Sequence, residues 1–186
     1  MNMKYIYLVF SKTGTWLSRS ISVITKCDYT PVALSFDENF DNMYTFGRLN
    51  PKNPFLGGFT IENLSEGVYK NSNVKCLIYK IPVTDNQLQL LNDELNLYLN
   101  SNTKLKYNFI GLFGVLVDKP IKRHDSYFCS QFVTTLLEKS TIWQSPKGAD
   151  LTRPMDLKTI TNKRILYQGT AHEFSYFSAE TSPIVS

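Results

Sequence analysis

The chain has 186 residues, 42% of them hydrophobic and 13% aromatic, enough for one substantial core without a compositional need for a second domain. Its formal charge of +4 is spread along the sequence, with no run of Lys or Arg longer than two. That leaves no concentrated footprint for nucleic acid or an anionic membrane, and a nucleic-acid-binding module ranks last among the function classes. Cys27, Cys76 and Cys129 are odd in number and lack short metal-ligand spacing, and His124 and His172 are the only histidines. Reduced thiols are therefore expected rather than a disulfide frame, with no metal and no cofactor. The six apolar residues Tyr5 to Phe10 are too few for a signal-peptide core or a membrane span, so no transmembrane segment and a cytoplasmic location are expected.

Taken in order, Lys4 to Phe10 reads as a first, central strand, ended by the turn-forming Ser11-Lys12-Thr13-Gly14. Trp16, Leu17, Ile21 and Ile24 then follow a helical period up to Lys26. Tyr29 to Asp37 alternates, with Val32, Leu34 and Phe36 on one face and Pro31, Ala33, Ser35 and Asp37 on the other, and a turn leads into Met43 to Arg48 as an antiparallel hairpin. Asn50 to Gly58, with Pro51, Pro54, Gly57 and Gly58, reads as a loop, followed by a poorly patterned piece through Asn73. Val74 to Val83 is a strong strand whose Pro82 requires a terminal or exposed hydrogen-bonding position.

Thr84 and Gln87 make a capping-box pattern ahead of a helix striped by Leu88, Leu91, Leu95 and Tyr98. Tyr107 to Val117 has the length of a buried helix, stopped by Lys119-Pro120. A polar loop around Pro146, a short helix near Pro154 and a last strand from Arg164 to Gln168 complete a domain over residues 1–170. The aperiodic tail, residues 171–186, is expected to be loosely attached.

The chemistry concentrates in Tyr127-Phe128-Cys129-Ser130-Gln131-Phe132-Val133. Phe132, Val133, Leu136 and Leu137 mark the inward face of a helix, and Cys129 lies on that stripe one turn earlier. With Asp125 or Ser126 as N-cap, Cys129 falls in the first turn, where unpaired N–H groups and the helix dipole favour a thiolate. The competing reading is a small buried hydrophobe under a core helix.

The strand-helix start, the Tyr29–Asp37 and Met43–Arg48 strands and the Tyr-Phe-Cys-Ser-Gln-Phe-Val helix opening together resemble the circularly permuted NlpC/P60 branch of the papain-like superfamily, YiiX-like proteins included, over roughly residues 3 to 170. The resemblance implies a single α+β domain with a central, mostly antiparallel sheet packed against helices. It also implies a strand histidine that meets the helix-opening cysteine and a polar residue on the neighbouring strand that orients the histidine. Here the family's Tyr-Thr-His-Val reads Tyr29-Thr30-Pro31-Val32, so the general-base position is Pro31, which cannot take a proton. A degenerate site, a base from elsewhere and an altered residue all remain open. Position 31 is expected to project toward Cys129.

Tyr44 and Thr45 occupy the third-residue strand, and alternation allows one of them to face the cysteine. Tyr127 and Ser130 flank the nucleophile as supporting residues beside an oxyanion site formed with the Cys129 N–H, and His124, on the loop entering the helix, is a candidate substitute base. His172 reaches a cleft only if the tail crosses one. The expected function is a thiol hydrolase or acyltransferase acting on a peptide, amide or acyl substrate through Cys129. The alternative is a pseudoenzyme whose cleft, walled by residues 50–59, binds such a ligand or a protein partner.

Overall fold

The computed structural model describes residues 3–13, 31–49, 57–70, 73–101, 106–108 and 126–174. They form an α+β arrangement on one sheet. The strands are β1 (Lys4–Lys12), β2 (Val32–Ser35), β3 (Met43–Arg48), β4 (Gly57–Glu62), β5 (Lys75–Val83), β6 (Lys106–Tyr107), β7 (Ser126–Tyr127) and β8 (Arg164–Thr170). Their spatial order is β7-β6-β4-β3-β2-β1-β5-β8, and every neighbouring pair is antiparallel except β6 with β7. β1 is thus central, as its apolar run requires.

Pro82 fits the sheet because it lies past Lys80, the last β5 residue paired to β8. Its missing donor is needed on one side only.

Two helices follow from local signals. α1 (Asp85–Leu99) starts at a reciprocal cap: the Gln87 N–H donates to Thr84 Oγ1 at 3.2 Å, and the Thr84 N–H donates to Gln87 Oε1 at 3.0 Å. Leu91 and Leu95 are fully buried and Leu88 and Tyr98 partly so, the stripe the period gives. α2 (Cys129–Lys139) buries almost its whole first two turns and packs against β2, β3 and α1. No helix among the described residues is long and apolar enough to cross a membrane.

The sheet separates two apolar clusters, because successive side chains of a strand point to opposite faces. On the helix-covered face, Ile6, Leu8 and Phe10 of β1, Val32 and Leu34 of β2, Phe46 of β3 and Leu77, Tyr79 and Ile81 of β5 pack with both helices. The other face gathers Tyr7, Val9, Ala33, Met43, Cys76 and Ile78 with Phe40, Leu64 and Tyr69.

Several expectations are corrected. Gly57 and Gly58 open β4 rather than a loop, with Gly58 directly opposite Gly47 across the ladder. Turn-forming composition is outweighed there by pairing with β3 along all six residues. Tyr107 belongs to a strand, paired with Tyr127, and the segment near Pro154 forms only 3-10 turns, at Ala149–Leu151 and Asp156–Thr159. The tail does not begin loosely: residues 171–174 make a helical turn whose Ala171 and Phe174 are buried in the second cluster, Phe174 edge-on to Phe40 at 5.2 Å. The Trp16–Lys26 helix, Cys27, the 50–56 loop, residues 109–125 and the tail from 175 lie outside the described residues.

Candidate active site

Cys129 is the first residue of α2 and is 3% exposed, in the same core as Phe132 and Val133. The helix starts later than its sequence suggests. Phe128, extended at φ −108° and ψ 164°, is the N-cap, and Ser126 is in β7. Strand pairing of Ser126 and Tyr127 to Lys106 and Tyr107 holds the chain extended up to Phe128, which overrides the capping preference of a serine two residues upstream. The cysteine is therefore at the first helical position, where backbone N–H groups lack intrahelical acceptors.

The polar residues around this start are engaged with one another. Gln131, buried, accepts from the Phe128 N–H at 3.4 Å and donates through Nε2 to Asp150 Oδ1 at 2.6 Å. Ser130 Oγ donates to the Thr152 carbonyl at 2.7 Å, while Thr152 Oγ1 lies 2.6 Å from Ser145 Oγ and donates to the Gly148 carbonyl at 2.8 Å. The 145–152 segment is thus bolted to the first turn of α2. Ser130, expected beside an oxyanion, has its hydroxyl committed to that loop. Gln131 escaped the sequence reading, although its spacing from Phe128 is that of a capping box without the usual serine or threonine.

The strand residues divide between the faces. Tyr44 packs against the core that contains Cys129, its ring 5.9 Å from Phe36. Thr45 is fully buried and donates to the Val32 carbonyl at 2.8 Å. Its neighbours Tyr44 and Phe46 face the helices, so Thr45 faces away. Tyr127 is a packing residue, with ring centroids 5.2 Å from Phe46 and 5.6 Å from Tyr98.

Pro31 also lies on the far side. The β1–β2 register runs through Phe10↔Val32 and continues one residue, the Ser11 N–H donating to the Pro31 carbonyl at 3.1 Å. Directly opposite residues of an antiparallel pair share a face. Ser11 turns to the second cluster, its Oγ 3.4 Å from the Tyr69 hydroxyl. Val32 and Leu34 are the β2 side chains that share a core with Cys129. The expectation that position 31 projects toward the thiol is therefore corrected by alternation, and Pro31→His directs an imidazole to the Ser11 side.

His172 sits between Ala171 and Phe174, which are buried in the second cluster, so it too is remote from the Cys129 core. His124 lies outside the described residues. Among the described residues no group of acidic, histidine or cysteine side chains has metal-holding geometry.

Of the described cysteines, Cys76 and Cys129, neither is in a disulfide. Burial in mid-strand pushes the Cys76 thiol up to about 12. Thr134, one turn into α2, is fully buried and its Oγ1 has no hydrogen-bond partner among the described residues. A buried hydroxyl left unpaired costs about 1–3 kcal/mol, and valine has nearly the same shape. Thr134→Val should raise the urea midpoint by the equivalent of about 1 kcal/mol at unchanged m. Compared with protein-family models, curated proteins and solved structures, the chain finds no match.

Proposed function

We propose that the chain is a papain-like thiol scaffold of the circularly permuted NlpC/P60 type, with Cys129 as the nucleophile of a hydrolase or acyltransferase. The observation that carries this reading is a cysteine at the first helical position of a core helix laid across β2 and β3 of an antiparallel sheet. The helix opening sets the thiol at the positive end of the dipole, which favours a thiolate, on a rigid element. In the reaction, Sγ bonds to the substrate carbonyl carbon and the bond to the leaving alcohol or amine breaks. The leaving group departs with the thiol proton. Water then cleaves the thioester, its proton returning to sulfur, or an amine takes the acyl group instead. Peptides, amides and lipid esters all contain such a carbonyl.

Binding without turnover is a second reading, and two observations favour it. Cys129 is only 3% exposed, and Pro31 neither takes a proton nor shares its face. The two readings part on one assay. Hydrolysis of p-nitrophenyl acetate by the intact chain is compared with Cys129→Ala. The hydrolase reading expects an initial burst and a steady rate that both fall to the buffer rate in the variant. Equal rates in both proteins discard it in favour of the binding role.

A further inference from the structure

The second face of the sheet ends in a groove of about 590 Å³ between the start of β1, the end of β5 and the turn into β8. That volume is in the range of small-molecule sites. Tyr5 and Pro82, directly opposite each other in the β1–β5 ladder, provide an apolar wall, and Lys80, Arg164 and the amide of Asn162 provide the polar part. Lys80 and Arg164 are themselves cross-strand partners and therefore point the same way.

Charge and preorganisation distinguish this groove. Its lining contains no carboxylate, and the paired Lys80 and Arg164 direct their charged side chains to its side of the sheet. Glu38, bonded to the groove through Lys80, accepts from Lys80 and from the Tyr7 hydroxyl, and those two bonds hold its carboxyl below the usual carboxylate range. Lys80 Nζ also lies 4.2 Å above the Tyr5 ring, whereas Lys163 contributes only its stem to the rim, its Nζ donating to the Ile160 carbonyl at 2.8 Å and lying 5.3 Å from the Tyr79 ring on the helix-covered side. The Lys80 ammonium is thus held in position, and Glu38 is the carboxylate bonded to it, beside the fork of Arg164. Arg164 is exposed, and its planar fork matches two oxygens of one phosphoryl group. Asn162 adopts a left-handed backbone, φ 61°, in the turn that delivers Lys163 and Arg164 to the rim.

We infer that this groove binds a phosphorylated small molecule, its phosphoryl oxygens on Arg164 and Lys80 and its organic part against Tyr5 and Pro82. It opens on the face away from Cys129, so its occupancy and the thiol chemistry are independent.

Backbone-amide NMR of the intact chain at low salt, titrated with ADP, pyrophosphate and inorganic phosphate, tests this. Expected are saturable shifts centred on residues 162–164, Tyr5 and Lys80, with ADP binding more tightly than pyrophosphate. Arg164→Glu should weaken ADP at least about tenfold. Lys4→Glu makes the same charge change at an exposed position paired with Asp85, whose neighbours in β1 alternate to the other face, and should leave ADP affinity unchanged. Absence of saturation at millimolar ADP, or equal weakening by Arg164→Glu and Lys4→Glu, overturns the site. Pyrophosphate binding as tightly as ADP overturns the role given to Tyr5 and Pro82.

Discussion

Phe132→Ala should lower the stability of the protein by about 3–5 kcal/mol, the range for emptying a fully buried phenylalanine site. The Phe132 ring is the centre of an aromatic cluster that joins α2 to the sheet and to α1. Its centroid is 5.1 Å from Phe46, 5.6 Å from Phe59 and 5.0 Å from Tyr98, the last two edge-on. No single neighbour can collapse into the space, because Phe46 and Phe59 are fixed on adjacent strands in direct register. Phe132→Leu retains much of the apolar volume and should cost less than half as much. The check is the urea midpoint at unchanged m. A loss below about 1 kcal/mol for the alanine variant would mean that α2 does not lie across β3 and β4.

Gln131→Leu should cost about 2–3 kcal/mol, although leucine is the more apolar residue at a buried position. The amide joins the Phe128 N–H to the Asp150 carboxylate, and removing it deprives a charged acceptor of its 2.6 Å donor. Gln131→Glu separates this interaction from simple packing. It is nearly isosteric but sets a second carboxylate against Asp150, so the new carboxyl is raised in the folded state relative to the unfolded one. A raised folded value favours the protonated form on folding. The penalty is therefore present at neutral pH and relieved as pH falls below the raised value. Denaturation of the glutamate variant at pH 7 and pH 5 should show the variant gaining on the parent at the lower pH. A constant difference would show that Asp150 does not face position 131 as a charge.

What sequence made legible here is local. The Thr84–Gln87 box and the Leu91–Leu95 stripe specify α1 within its own residues, and the unbroken apolar run of β1 marks a central strand. The losses are long-range. The start of α2 is set by pairing of Ser126 and Tyr127 with a segment some twenty residues earlier, and the capping preferences of Asp125 and Ser126 contain nothing of that. β4 was hidden because Gly57 and Gly58 have turn composition, and only its register against Gly47 and Arg48 makes them a strand.

The candidate site divides the same way. Alternation was read from sequence and separated Pro31 from Val32 and Tyr44 from Thr45, but which side meets the helices depends on how β1 and α2 dock. Docking places Val32, Leu34 and Tyr44 with Cys129, and Pro31 and Thr45 away from it. The polar bolt from Ser130 and Gln131 to residues 150 and 152 spans about twenty positions and leaves only a faint mark in the chain, a glutamine three residues after the N-cap.

Cys129, as the opening residue of α2, is the thiol proposed to react first. Alkylation of the folded protein by iodoacetamide across pH, with each cysteine-containing peptide quantified by mass, decides this. The rate follows the thiolate fraction, and of the two buried thiols Cys76 and Cys129 the second alone has a helix N-terminus to increase it. Cys129 should be modified first, at neutral pH, while Cys76, whose thiol is pushed up to about 12, stays unmodified until the protein unfolds. Modification of Cys76 or Cys27 ahead of Cys129 in the folded chain would contradict it.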